Sequence, residues 1–125
     1  MSHGKQLFSI AVFSLAICLT AQAGDLPTKV GECVNTTIKS VGTRLDGVPD
    51  SGSAVSFANG GYQVGYDRVL AIEQSKKGDP VSMCLVSIPQ NCPKGDDRGR
   101  TYRTTNQRTH QSWTLADSSH SCGGA

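Results

Sequence analysis

A chain of 125 residues with 12 Lys or Arg against 10 Asp or Glu is nearly neutral, so no long-range field gathers nucleic acid or anionic lipid. Beyond its first 23 residues no run approaches the roughly 20 apolar residues that a bilayer-spanning helix needs. Residues 24–125 suit one domain, since single cores occupy about 100 to 150 residues, and no second domain is expected.

The chain opens with the pattern of a secretory signal peptide over residues 1–23. Met1 to Lys5 is a short basic start, Leu7 to Leu19 is apolar, and Ala21-Gln22-Ala23 before Gly24 is a small-residue cleavage site. A chain beginning at Gly24 loses Lys5 and no acid, keeping 11 basic and 10 acidic side chains. Its expected location is periplasmic or secreted, with no membrane span. Leu15-Ala16-Ile17-Cys18 offers a competing lipoprotein signal acylated at Cys18, but Ile17 is too large for the residue before such a cysteine. The mass of the exported protein separates the two, because a chain starting at Gly24 excludes the lipid form.

Residues 24–31 have no sustained period and read as a lead-in. Residues 36–45, rich in Thr, Ile and Val, favour a strand with a bulge or bend at Gly42. Asp46 to Gly52 is dense in turn formers and reads as a loop. Val55 and Phe57, then Tyr62, Val64 and Tyr66, alternate with small or polar residues around Asn59-Gly60, the pattern of a β-hairpin. Asp67 is placed to cap a short helix over residues 68–76, with Val69 and Ile72, and marginally Leu70, facing inward and Glu73 spaced to pair with Lys77. Gly78 and Pro80 end it.

Residues 81–88 form the strongest strand, with Val81, Met83 and Leu85 on one face and Cys84, Val86 and Ile88 on the other, so both faces read as covered. A polar loop over 94–100 comes next. Residues 102–105 and 112–115 read as two strands around a turn at 106–109, with Trp113 and Leu115 sharing a face. Beyond Asp117 the chain is a tail unless Cys122 pins it. Strands, a short helix and more strands, with no room for βαβ crossovers, predict a mainly β fold: a small antiparallel barrel, OB-like or SH3-like, with one short helix and two disulfides.

Cleavage at Gly24 removes Cys18 and leaves Cys33, Cys84, Cys92 and Cys122. Four cysteines allow three pairings. The first and fourth strands of such a barrel are neighbours, which favours Cys33 with Cys84 and leaves Cys92 with Cys122. With no Cys-x-x-Cys pair the expected role is structural.

Three groups of residues carry chemical potential. His110, His120 and Cys122 have the residue types of a metal site but no compact ligand pair, so no metal or cofactor is expected. Glu73, His110 and His120 could serve a small hydrolase or nuclease as acid and base, with Arg98, Arg100 or Arg103 stabilising an anion. The basic stretch Lys94, Arg98, Arg100, Arg103 and Arg108, interleaved with Asp96, Asp97, Tyr102 and Asn106, offers Arg98, Arg100, Tyr102 and Arg103 as a partner-binding surface. The two aspartates argue against nucleic acid as that partner. Phe57, Tyr62, Tyr66 and Trp113 are expected in the core, and Asn35-Thr36-Thr37 matches a glycosylation acceptor.

Gly78-Asp79-Pro80-Val81, Cys92-Pro93, Asp97-Arg98-Gly99, Ser112-Trp113 and Cys122-Gly123-Gly124-Ala125 together resemble small exported proteobacterial proteins of unassigned function. The resemblance implies a periplasmic or released location and carries no activity. Exported lysozyme inhibitors are similar in general character, as small disulfide-bonded β proteins, but their Ser-Gly-rich inhibitory loop is not matched by Asp50-Ser51-Gly52-Ser53. The expected function is a monomeric, non-enzymatic binding domain whose partner is a protein or glycan of the envelope, an enzyme inhibitor being the specific version; the alternative is the hydrolase or nuclease built on His110, His120 and Glu73.

Overall fold

The computed structural model describes Gly4 and residues 24–124, so the signal pattern and Cys18 lie outside the described residues. Strands β1 (Cys33–Thr43), β2 (Ser53–Phe57), β3 (Tyr62–Val64), β4 (Pro80–Ser87), β5 (Thr101–Asn106) and β6 (Ser112–Ala116) accompany one helix, α1 (Leu70–Glu73). They close into a barrel in the order β1-β2-β3-β6-β5-β4. Two three-strand meanders are thus joined at β1–β4 and at β3–β6, every pair antiparallel. An OB barrel has five strands; this barrel shares its helix between the third and fourth strands and adds one more strand.

Period-two alternation builds the wall. On β4, Val81, Met83 and Leu85 are fully buried while Val86 is 45% exposed, so one face is core and the other faces solvent. This corrects the expectation of two covered faces: a closed barrel has only one inside. The same parity sends Tyr102, Thr104 and Asn106 of β5 inward and Arg103 outward. β1 begins three residues before the expected start, because Cys33 pairs directly with Cys84. Its register breaks between Ile38 and Ser40 rather than at Gly42, which pairs regularly with Ala54. Residues 33–37 pair with β4 and residues 38–43 with β2, so one long strand turns the corner of the barrel.

Ile38, Val55, Phe57, Ile72, Val81, Met83, Leu85, Tyr102 and Trp113 fill the interior. Gln63 sits among them with no exposed surface. Its Oε1 accepts from Thr104 Oγ1 at 2.6 Å and Trp113 Nε1 at 2.8 Å, and its Nε2 donates to Tyr102 O at 2.7 Å and Leu115 O at 3.1 Å. A buried amide with every valence used is tolerated where an unpaired one is not. The contact to Leu115 also reinforces the β3–β6 seam, where Val64 and Ala116 are the paired residues.

α1 is shorter than the expected 68–76 helix. The N–H of Val69, the residue that precedes the helix, is met by Ser53 Oγ from β2 at 2.8 Å, and no side chain caps α1, so Asp67 is not the cap. Ile72 is buried as expected, but Leu70 is 63% exposed. Glu73 pairs with Arg68 rather than Lys77. A further anchor lies just beyond the helix, where Asp79 accepts from Arg108 Nε at 2.6 Å and Nη2 at 2.9 Å, from Asn106 Nδ2 at 2.9 Å and from Lys76 N at 2.8 Å. The Arg108 fork first, and the Asn106 and Lys76 donors after it, hold this carboxyl far below its usual range against the opposing effect of burial.

Because the strands alternate in direction, the connections after β1, β3 and β5 share one end of the barrel with α1. The connections after β2 and β4 and the tail after β6 share the other. Cys33–Cys84 joins β1 to β4 on the outer wall, and Cys92–Cys122 ties the β4–β5 loop to the tail.

Candidate functional site

The α1 end carries a depression of about 660 Å3 lined by Val41, Gly42, Thr43, Gly47, Pro49, Asp50, Gly52, Ser53, Arg68 and Glu73. One wall is the loop over residues 44–52, which hydrogen-bonds to itself. Arg44 N donates to Gly52 O at 3.0 Å and Arg44 Nε to Ser51 O at 2.7 Å. Ser51 Oγ accepts from Leu45 N at 3.0 Å and donates to Val48 O at 2.7 Å. Asp50 holds a φ of 65°, a left-handed conformation that Asp tolerates better than most residues. The loop root is packed equally closely: Gly52 has a φ of 115°, and a Cβ there would lie 1.9 Å from Gly65 O. Such a loop presents its side chains in a fixed arrangement, which lowers the ordering cost of binding.

Those side chains are apolar to an unusual degree for a turn-rich segment. Leu45 is 48% exposed and Val48 46%. Tyr66, also exposed, lies under the Arg44 guanidinium at 4.2 Å from the ring centroid. Leu70 stands three residues before Glu73 on α1. The opposite wall is polar, Arg68 reaching Glu73 with Nε at 2.7 Å and Nη2 at 3.1 Å and approaching Asp50 at 3.5 Å. The Arg68 hydrogen bond lowers the Glu73 pKa. Counting the neighbouring Asp46 and Asp67, carboxylates outnumber guanidiniums around the depression.

Of the arginines expected to form a surface, Arg98 and Arg100 lie near Asp96 while Arg103 and Arg108 lie elsewhere. Arg98 is clamped to Asp96 by Nε and Nη2, each at 2.9 Å, and with the Gly123 N–H it holds that carboxyl far below its usual range. Arg100 lines a second depression, of about 440 Å3, with Ile88, Pro89, Cys92, Pro93, Gly95, Asp96 and Asp97. Its buried Nε has no partner among the described residues. Tyr102 is 3% exposed and belongs to the core, where burial raises its hydroxyl pKa. Arg103 projects from the outer wall of β5. Arg108, at the far end, belongs to the Asp79 anchor.

Comparison with protein-family models, curated proteins and solved structures finds no match for this chain.

The other candidates also separate. His110 lies in the β5–β6 turn at the α1 end and His120 in the tail at the other, with β6 between them, roughly 13 Å of strand at about 3.3 Å per residue. Glu73 is engaged by Arg68, and Cys122 is spent in a disulfide. Among the described residues no three His, Cys, Asp or Glu side chains gather as a metal site. Phe57 and Trp113 are core, at 1% and 5% exposure, but Tyr62 and Tyr66 are outside, at 40% and 55%, because β3 ends at Val64 and Tyr62 sits on its outer face. Sequence reading passes over Leu45 and Val48. Only Val48 carries a signal, as an apolar residue inside the turn-forming run 46–52; Leu45 closes the expected strand.

Proposed function

We propose that residues 24–125 are an exported, non-enzymatic binding domain of the bacterial envelope that engages a protein partner through its α1 end. The observation that carries this reading is the exposure of four apolar side chains in connections at this end, Leu45 and Val48 in the internally hydrogen-bonded loop, Tyr66 after β3 and Leu70 on α1, the same connections that supply Gly47, Pro49, Asp50, Arg68 and Glu73 to the lining of the 660 Å3 depression. Large apolar groups left in solvent at one end of a small domain suit an interaction surface. The surplus of carboxylates around them suits a partner that presents an apolar side chain flanked by Lys or Arg. Inhibition of an envelope-directed enzyme is the most specific form of this function. Two disulfides fit an oxidising environment, and the signal pattern over residues 1–23 favours the periplasm or the medium within it. Among the described residues no helix is long and apolar enough to cross a membrane.

A second reading places binding at the opposite end, favoured by the unpartnered Arg100 Nε beside the 440 Å3 depression. A guanidinium with a free donor in a wall of Ile88, Pro89 and Pro93 suits a carboxylate. Capture from a proteobacterial envelope extract, run beside incubation with RNA and with cell-wall glycan, separates binding from catalysis. A stoichiometric partner with both substrates intact is the expected result; turnover of either substrate without a partner overturns the proposal in favour of the hydrolase or nuclease.

A further inference from the structure

Four outward positions follow one another across the barrel wall: Cys33 on β1, Cys84 on β4, Arg103 on β5 and Thr114 on β6, each the direct register partner of the next. Directly opposed residues of an antiparallel pair point to the same face with Cβ atoms about 5 Å apart. The Cys33–Cys84 bridge therefore lies on the solvent side of the barrel with Arg103 as the cross-strand neighbour of Cys84. Cys33 and Arg103 are exposed and Cys84 is half-buried. Among the described residues Arg103 forms no ion pair. The second bridge is less accessible, since Cys92 and Cys122 are both half-buried.

We infer that Cys33–Cys84 is a thiol–disulfide exchange site whose co-substrate is a dithiol, with Arg103 stabilising the departing thiolate. Exchange requires access to one sulfur and a good leaving group at the other. Cys33 supplies the access. A thiolate of the dithiol attacks Cys33 Sγ, the Cys33–Cys84 bond breaks, and its electron pair leaves on Cys84 Sγ beside the Arg103 cation. A neighbouring cation lowers a thiol pKa and so improves it as a leaving group. The second thiol of the co-substrate then attacks its own sulfur in the mixed disulfide and releases Cys33 as a thiolate. Two electrons pass to the protein, both thiolates take up protons, and the dithiol becomes a disulfide; the reverse sequence restores the bridge. At Cys92–Cys122 both cysteines are half-buried, so an incoming thiolate reaches neither sulfur as freely as it reaches Cys33. The five β1–β4 register pairs from Cys33 to Thr37 hold the seam while the bridge is open, so opening changes the wall without dissolving the barrel. This site is independent of the α1-end surface, and it adds an activity to two bridges that cysteine spacing alone reads as structural.

The test is graded reduction of the oxidised full chain with dithiothreitol, then acid quench, alkylation and mass mapping of the four cysteines. Cys33 and Cys84 are expected to label first, at a reductant concentration about tenfold below that which labels Cys92 and Cys122. Arg103→Gln should slow opening of Cys33–Cys84 about threefold, as an exposed charge contributes, Arg103→Lys should restore it, and neither should alter Cys92–Cys122. Arg103 is on the outer wall, and thermal unfolding of the oxidised variants confirms that the fold is intact. Labelling of Cys92 and Cys122 first, simultaneous labelling of all four, or an unchanged rate in Arg103→Gln each overturns the proposal.

Discussion

The two ends of the barrel are fastened by different chemistry. At the α1 end the anchors are noncovalent: the Asp79 carboxylate gathers Arg108, Asn106 and Lys76, and Gly52 crosses Gly65 so closely that no side chain fits between them. At the opposite end the β4–β5 loop and the tail are joined covalently through Cys92–Cys122 and clamped by Arg98 on Asp96. The first arrangement answers to acid and to steric change, the second to reductant. The noncovalent end is also the one that exposes Leu45, Val48, Tyr66 and Leu70, so the proposed binding surface is kept in shape by the part of the molecule that a disulfide does not hold.

The largest expected effect comes from filling the Gly52–Gly65 crossing. Gly52→Ala places a methyl against Gly65 O at a positive φ and should cost about 4 kcal/mol or more, combining backbone strain with overpacking. Urea denaturation measures it, and a loss below about 1 kcal/mol would show that the crossing gives way easily. Replacing both Cys92 and Cys122 by Ser opens a link between residues 30 apart in sequence, worth roughly 3 to 4 kcal/mol in the chain-entropy model. Hydrogen exchange should rise in 88–100 and 117–124 and stay unchanged around 70–80; a rise at both ends would break the comparison.

Asp79→Asn should cost about 2 kcal/mol at pH 7 by leaving the Arg108 fork without its charge. The pH dependence comes from the direction of the Asp79 shift. A folded pKa held below the unfolded value of about 3.9 gives stability that is complete above about pH 5 and is lost as the pH falls through the folded pKa. Wild type should therefore lose stability more steeply than Asp79→Asn on acidification, and parallel curves would contradict the assignment. The smallest stability effects belong to the exposed surface, where Val48→Asp and Leu70→Asp should move unfolding by no more than about 0.5 kcal/mol.

Much of the framework was legible because local rules and the fold agree. Alternation located the hairpin around Asn59-Gly60, and the parity of Val81, Met83 and Leu85 gave the inner face of β4. The same reasoning, with neighbouring first and fourth strands, led to both disulfides. Other features depend on partners far along the chain. The N–H of Val69 ahead of α1 is met by Ser53, with no cap from Asp67, and Arg108, read as one of a basic group, is fixed by Asp79. The residues read as one basic surface take different places for a related reason: adjacent residues on one strand face opposite ways, so Tyr102 points into the core and Arg103 outward. The exposed loop was harder still, since hydrophobicity alone does not reveal that Leu45 and Val48 stay in solvent.

The most direct test of the proposed binding surface compares capture from a proteobacterial envelope extract by wild type, by Val48→Asp/Leu70→Asp and by Arg100→Glu/Arg103→Glu, each first shown to be folded. One stoichiometric protein partner should bind wild type and the arginine variant and be lost from the apolar-face variant. Loss from the arginine variant with retention by Val48→Asp/Leu70→Asp would contradict this and move the binding surface to the disulfide-tied end and outer wall.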